Sequence, residues 1–268
     1  MDFPIDQFGR NIPLHGEEAF AAMRKAGRLA AETLDYITPY VKPGITTEEL
    51  NTLCHDFIVS HGAIPAPLNY NGFPKSICTS LNHVICHGIP GDRKLIEGDI
   101  LNIDVTVILD GWHGDTSRMF TIGQVGVKGK KLIDVTYESM MRGIRAAKPG
   151  NTLGDIGHAI QSYAETFGYS IVTDFCGHGI GQVFHDAPEV LHYGNPGEGL
   201  VLKEGMIFTV EPMINTGRPE SKILADEWTA VTRDKSLSAQ FEHTIGLTKD
   251  GNEIFTLSPK KWDHPPYK

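Results

Sequence analysis

The sequence predicts an α+β fold made of two similar halves, with helices packed on one side of an antiparallel sheet. Three observations predict it. Lys42-Pro43-Gly44-Ile45-Thr46-Thr47-Glu48-Glu49-Leu50 returns 106 residues later as Lys148-Pro149-Gly150-Asn151-Thr152-Leu153-Gly154-Asp155-Ile156, and self-similarity at a fixed offset marks a duplicated unit. Glu97-Gly98-Asp99-Ile100-Leu101-Asn102-Ile103-Asp104 is echoed 107 residues on by Glu204-Gly205-Met206-Ile207-Phe208-Thr209-Val210-Glu211. Two copies are too few to stack as a solenoid, so they should pair face to face. Apolar and polar residues alternate across 100–109, the period of a strand with two unlike faces.

Taken along the chain, Phe20, Met23, Ala30, Leu34 and Ile37 recur at three- and four-residue spacing, so 17–40 reads as an amphipathic helix that Pro39 and Pro43 help to end. The Pro-Gly turn then opens a second helix, where Thr46 and Glu49 have capping-box spacing. On 100–109, Leu101, Ile103, Val105, Val107 and Leu109 face one way and Asn102, Asp104 and Thr106 the other. Asp110-Gly111 turns the chain back through His113-Gly114-Asp115, a hairpin that can set Asp104 and Asp115 side by side. The first half ends near the glycine-bearing stretch 123–129. In the second, 132–147 is the counterpart of the first helix, and Thr152 with Asp155 opens the next. Met206, Phe208 and Val210 then oppose Thr209 and Glu211 on a strand; further on, Gln240, Glu242 and Thr244 share one face and Phe241 and Ile245 the other. The halves run about 17–123 and 130–257 within a single domain, 1–268, and the polar side of the sheet is left free to line a site.

Composition bounds the function. Hydrophobic residues are 40% and charged residues 21% of 268, near the globular average, which excludes disorder. A net charge of −9 makes DNA and anionic membranes poor default partners. No run approaches the roughly 18 apolar residues of a membrane span. The start, Met1-Asp2-Phe3-Pro4-Ile5-Asp6, has neither the basic nor the apolar region of a signal peptide. Cys54, Cys78, Cys86 and Cys176 show no C-x-x-C spacing, so reduced thiols and a cytoplasmic location are expected.

The chemistry lies in the carboxylates. Asp104 and Asp115 in the first half, Glu211 and Glu242 in the second, would converge at the pseudo-twofold axis. Four such charges a few Å apart force protonation unless cations compensate them. Oxygen donors with one imidazole suit Mn, Fe, Co or Zn, and four carboxylates favour two metals over one. The imidazole candidate is His178, in Gly177-His178-Gly179-Ile180-Gly181, where flanking glycines allow close approach. That run lacks the lysine and spacing of a phosphate loop, so nucleotide binding is discarded. His15, His55, His61, His158 and His264 read as ordinary surface or helix-face groups.

Five blocks in order, Asn102-Ile103-Asp104-Val105-Thr106, His113-Gly114-Asp115-Thr116-Ser117, Cys176-Gly177-His178-Gly179-Ile180-Gly181, Phe208-Thr209-Val210-Glu211-Pro212 and Ser238-Ala239-Gln240-Phe241-Glu242-His243-Thr244, resemble the signature of type I methionine aminopeptidases. The resemblance runs from about Glu17 to Leu257. It implies the pita-bread fold, α+β with internal twofold symmetry, and removal of the N-terminal methionine from nascent polypeptides with a small second residue. It also implies a ligand scheme, in which Asp104 chelates one divalent metal, His178 and Glu211 the other, and Asp115 and Glu242 bridge both. Glu211 would take a proton from the attacking water, His87 would assist around the tetrahedral intermediate, and His185 would bind the substrate's carbonyl or amide oxygen.

The same resemblance places Tyr70, Phe73, Cys78, Phe184 and Trp228 around the methionine side chain, with Pro67 at the edge. Pro67 and Phe73 stand where related sequences often have Cys and Tyr. A monovalent cation, Na or K, near Asn82, Val84 and Ser238, a monomer, and a ribosome contact through Arg218, Lys222, Arg233 and Lys235 are further expectations. Only 33 residues separate His178 from Glu211 and 31 separate Glu211 from Glu242, which leaves no room for the insertion of type II enzymes and fits the short bacterial form. An Xaa-Pro aminopeptidase and a metal-free pita-bread binding module are the alternatives.

Overall fold

The computed structural model describes residues 4–267. Its helices are α1 (Glu17–Ile37), α2 (Thr47–Ser60), α3 (Val127–Ala146) and α4 (Leu153–Glu165). Its strands, in chain order, are β1 (Ile64–Pro65), β2 (Cys78–Leu81), β3 (Val84–Cys86), β4 (Ile100–Leu109), β5 (Trp112–Thr121), β6 (Ser170–Ile171), β7 (Gly177–Gly179), β8 (Asp186–Val190), β9 (Ile207–Val210), β10 (Met213–Asn215), β11 (Ser221–Ile223), β12 (Ala230–Thr232), β13 (Ser238–Gln240), β14 (Glu242–Thr248) and β15 (Gly251–Ile254). Nine form one sheet, ordered β1-β4-β5-β14-β9-β7-β8, with β2 also on β4 and β15 also on β14; β13-β10-β6 and β11-β12-β3 form two smaller sheets.

The two halves meet in the large sheet at the β5–β14 contact, where Glu242 faces Ser117 and His243 faces Thr116. Two buried hydroxyls brace this line reciprocally: Thr116 Oγ1 donates to the Glu242 carbonyl and Thr244 Oγ1 to the Asp115 carbonyl, both at 2.7 Å. The duplicated turns match bond for bond. Gly44 N–H donates to the Leu95 carbonyl as Gly150 N–H does to that of Leu202, and Leu95 N–H returns to Ile45 as Leu202 N–H does to Asn151. Both glycines have φ above +90°, a conformation a side chain would strain. The capping boxes at Thr46–Glu49 and Thr152–Asp155 are both formed.

Each half has its own core behind the sheet. Leu34, Ile37, Leu50 and Ile58 from α1 and α2 pack on Leu101, Ile103, Val105 and Val107. Leu132, Met140, Ile156 and Ile160 from α3 and α4 pack with Phe208, Val210 and Ile245. Complete burial of one such side chain is worth about 1.5–3 kcal/mol. The apolar pattern of 100–109 thus faces the helices, as expected.

Local differences from the sequence reading have identifiable causes. The first helix stops at Ile37 and continues only as a 3₁₀ turn, Thr38–Tyr40, because Pro39 has no N–H to give. Its counterpart begins at Val127, five residues before the expected start. The polar face of β4 is covered: Asn102 and Thr106 are buried, and Asn102 Nδ2 donates to the Gln240 carbonyl at 2.8 Å, so a small sheet closes over the large one. On β5 the buried Arg118 points to the helix side, 2.6 Å from Asp35, which Ser258 also bonds. No helix among the described residues is long and apolar enough to cross a membrane.

Candidate metal centre

Register decides which carboxylates meet. Asp104 on β4 lies opposite Ser117 of β5, and Asp115 opposite Thr106, so the two aspartates are diagonal neighbours on one face rather than the direct pair expected from the hairpin. Ser117 also faces Glu242, which completes a row, Asp104–Ser117–Glu242, across three strands. His178 on β7 enters from the far side of β9. Asp115, His178 and Glu242 offer donor atoms that all lie within 4.8 Å of one another. Glu211 joins them outside any strand, just after β9 ends at Val210. Its Oε1 is 3.6 Å from His178 Nε2, and Asp115 Oδ2 is 3.7 Å from the same nitrogen.

Neighbouring groups aim these donors. His178 Nδ1 is 3.0 Å from the Gly179 carbonyl; a carbonyl only accepts, so Nδ1 carries the proton and Nε2 keeps its lone pair. Thr106 Oγ1 donates to Asp115 Oδ1 at 2.7 Å. Thr209 Oγ1 accepts from His178 N–H at 3.0 Å and donates to Glu211 Oε1 at 2.7 Å, while Gln240 Nε2 reaches Glu211 Oε2 at 3.2 Å. Asp104 Oδ1 is buried with no partner among the described residues.

Among the described residues no Lys or Arg pairs with these four carboxylates; Arg118 is committed to Asp35. Burial therefore pushes Asp104 up to about 7 and, with Asp104's charge adding and the Thr209 bond opposing, Glu211 up to about 8. Asp115 and Glu242 are driven well above the carboxylate range by burial and by their acidic neighbours. Burial, helped by His185, holds His178 down at about 3. Oxygen donors with no protein counter-ion, one unpartnered, beside a neutral imidazole form a set that divalent cations fit.

The cluster floors a cavity of about 300 Å³. Every residue expected at the substrate side lines it: Pro67, Tyr70, Phe73, Cys78, His87, Phe184, His185 and Trp228. Phe73 meets Trp228 edge-on at 5.1 Å. Phe184 is stacked between His113 at 5.4 Å and His185 at 4.1 Å, and His185 Nδ1 is 2.8 Å from the Tyr70 hydroxyl. His87 holds φ +55°, a left-handed conformation that costs about 1–3 kcal/mol outside glycine. Burial lowers the pKa of His87, and takes His185 to about 4 with His87 contributing.

The sequence reading did not place Cys86, Asp174, Phe175, Cys176 and Met213 in the wall, although Cys86 adjoins His87 and Cys176 opens the block that carries His178. It also missed the clamps on Glu211. For Thr209 the signal was present: two residues before Glu211 on an alternating strand is the same face. Arg218, Lys222, Arg233 and Lys235 are all exposed, around the β11–β12 hairpin.

A model of metallopeptidase family M24 matches residues 21–249. The methionine aminopeptidase of Rickettsia prowazekii is 68% identical over 257 residues, 96% of this chain and 99% of that protein. The methionine aminopeptidase of Escherichia coli K12 is 53% identical over 248 residues, 92% and 94% of the two chains. The crystal structure of the Rickettsia enzyme superposes with a TM-score of 0.91 at 67% identity, covering 92% of this chain and all of that one. Prolidase from Pyrococcus horikoshii, at 21% identity and a TM-score of 0.72 over 91% of this chain and 63% of that one, shares the fold alone.

Proposed function

The chain belongs to metallopeptidase family M24 and, within it, to the methionine aminopeptidases, and from that premise we propose how its own residues remove an N-terminal methionine. Asp104, Asp115, His178, Glu211 and Glu242 would hold two divalent cations at the pocket floor. Cations held there would supply Lewis acidity toward the first peptide carbonyl and lower the pKa of an attacking water. The chain's residues do the rest. Glu211, steadied by Thr209 and Gln240, takes the water's proton. With Tyr70 donating to His185 Nδ1, the Nε2–H of His185 is left to hydrogen-bond the substrate's carbonyl or amide oxygen. His87 assists at the tetrahedral intermediate and the scissile nitrogen. Tyr70, Phe73, Cys78, Phe184 and Trp228 enclose the thioether, which apolar and aromatic surfaces suit.

The observation that carries this reading is the convergence of four carboxylates and His178 without a protein cation, in an aromatic-walled cavity. A monovalent cation near Asn82, Val84 and Ser238 is part of the proposal. It is supported by the Ser238 N–H donating to the Asn82 carbonyl at 2.8 Å and by Ser238 Oγ being buried without a partner. We further propose that the chain works as a cytoplasmic monomer on nascent polypeptides with a small second residue, with its exposed basic hairpin against the ribosome. Stripping the protein with chelator and restoring Mn, Fe, Co or Zn should release free methionine from Met-Ala-Ser and leave Met-Lys-Ser and Ala-Pro-Ser intact. Cleavage of Ala-Pro-Ser instead would replace this reading with an Xaa-Pro aminopeptidase.

A further inference from the structure

Four of the five proposed donors lie inside ladders, in β4, β5, β7 and β14. Glu211 does not. It and Pro212 form the gap between β9 and β10, where the chain leaves the large sheet for the β13-β10-β6 sheet. Proline has no N–H, so the Glu211 N–H is the only backbone donor in that gap. It donates to His192 Nε2 at 3.1 Å.

His192 is fully buried, two residues beyond the end of β8. Because Nε2 accepts, the ring proton sits on Nδ1, and Nδ1 is buried with no hydrogen-bond partner. A buried donor left unpaired costs about 1–3 kcal/mol; an apolar side chain here would remove that cost and leave the Glu211 N–H without its acceptor instead, so packing alone gives the imidazole no advantage. Among the described residues, the one polar contact the ring makes is to the main chain of Glu211. β8 also pairs with β7, Glu189 facing His178. The imidazole thereby ties the strand pair that carries His178 to the loop that carries Glu211, the two residues assigned to the same metal.

We propose that His192 is a positioning residue that holds Glu211 in register with His178; this rests on the metal reading above. Its test uses the full chain as His192→Leu, which fills the space without an acceptor, and His192→Gln, whose amide oxygen can accept. Three quantities are read: the thermal midpoint of the chelated protein, Mn²⁺ affinity by calorimetric titration, and kcat and KM on Met-Ala-Ser. His192→Leu should leave the chelated midpoint nearly unchanged, weaken one Mn²⁺ binding step about tenfold, and lower kcat about 10–100-fold with KM within about twofold. His192→Gln should recover most of the affinity. Unchanged Mn²⁺ affinity in a folded His192→Leu protein overturns the proposal. So does a loss that follows a falling chelated midpoint and that His192→Gln does not recover, since His192 would then be a packing residue. If His192→Leu does not fold, wild-type Mn²⁺ affinity in His192→Gln supports the proposal and a tenfold loss there overturns it. Should the wild-type chain bind Mn²⁺ but release no methionine, the functional reading fails while the titration still decides the role of His192.

Discussion

In the first half Asp104 and Asp115 lie within an unbroken ladder of ten residue pairs, from Ile100–Thr121 to Leu109–Trp112. In the second half the equivalent carboxylates are held differently. Glu211 falls after a four-residue strand, and Glu242 takes the first place in β14, immediately after the ladder breaks at Phe241. Backbone register fixes one pair of carboxylates. Side-chain hydrogen bonds from Thr209 and Gln240, with the imidazole of His192, hold the member of the other pair that lies outside a strand. A duplicated unit can thus conserve the position of its donors while changing what holds them, and the second half gives up ladder to let the small sheet close over the site.

The largest effect expected from this arrangement is on stability against pH. In the metal-free fold Asp104 rises to about 7 and Glu211 to about 8, above their ordinary values of 3.8 and 4.5. Groups raised in this way favour the fold when protonated. Their contribution is whole below about pH 4 and is lost as pH climbs through 7 and 8. His178, near 3, and His185, near 4, act in the opposite direction and gain stability only up to about 6.5. Above that pH the raised carboxylates set the slope, joined toward pH 9 by the buried thiols, which burial also raises and which act in the same direction. The chelated protein should therefore lose thermal midpoint between pH 6.5 and 8.5, by roughly 2–4 °C for each kcal/mol, while excess Mn²⁺ displaces those protons and widens the gap between the two curves. Glu242→Gln is neutral without taking up a proton on folding, so its chelated midpoint at pH 8 should exceed that of the wild type and its gain from Mn²⁺ should shrink. Scanning calorimetry across the window checks this, and a flat chelated curve would mean that the cluster does not hold protons.

A smaller effect separates the two halves directly. Thr106 and Thr209 each donate one hydroxyl to a proposed donor at 2.7 Å, and valine removes either hydroxyl with little change in shape. Asp115 keeps its ladder when Thr106 is changed; Glu211 has none to keep. Thr209→Val should weaken Mn²⁺ binding about tenfold, the lower end of the usual span for groups that orient ligands, and Thr106→Val by no more than about threefold. Equal losses would break the comparison, because both carboxylates would then depend on their hydroxyls alike.

The same contrast explains what could be read from the sequence. The β4 strand was legible because a strand with helices on one side and polar partners on the other must alternate. The carboxylates were legible as a group because Asp104 returns as Glu211 at the 107-residue offset of the duplication, while Asp115 and Glu242, 127 residues apart, were reached only through the alternation of their own strands. The diagonal relation of Asp104 and Asp115 was in principle legible too: a two-residue turn at Asp110-Gly111 fixes every pair beyond it and sets Asp115 opposite Thr106. The break at Phe241 was not, since the alternation of Gln240, Glu242 and Thr244 runs through it unchanged. His192 leaves no local trace either, because its role depends on a contact nineteen residues away. Ladders write themselves into sequence as a period of two; isolated side-chain clamps do not.

The smallest expected effect lies where the two halves have stayed alike. Thr46 and Thr152 each accept from the backbone N–H three residues on, at 3.1 and 3.3 Å, while Glu49 and Asp155 return a carboxylate to the cap N–H at 2.7 Å in both. Loss of an N-cap hydroxyl costs about 1 kcal/mol. Neither cap belongs to the donor cluster, so neither substitution should reach the metals. Thr46→Ala and Thr152→Ala should each lower the thermal midpoint by about 2–4 °C, by the same amount within error, with Mn²⁺ affinity unchanged. A midpoint loss much larger for Thr152→Ala would show that the second half depends on its helix start more than the first, carrying the asymmetry of the strands into the helices behind them. A change in Mn²⁺ affinity from either variant would show instead that the helix layer helps to set the donors, and that register alone does not fix the first pair.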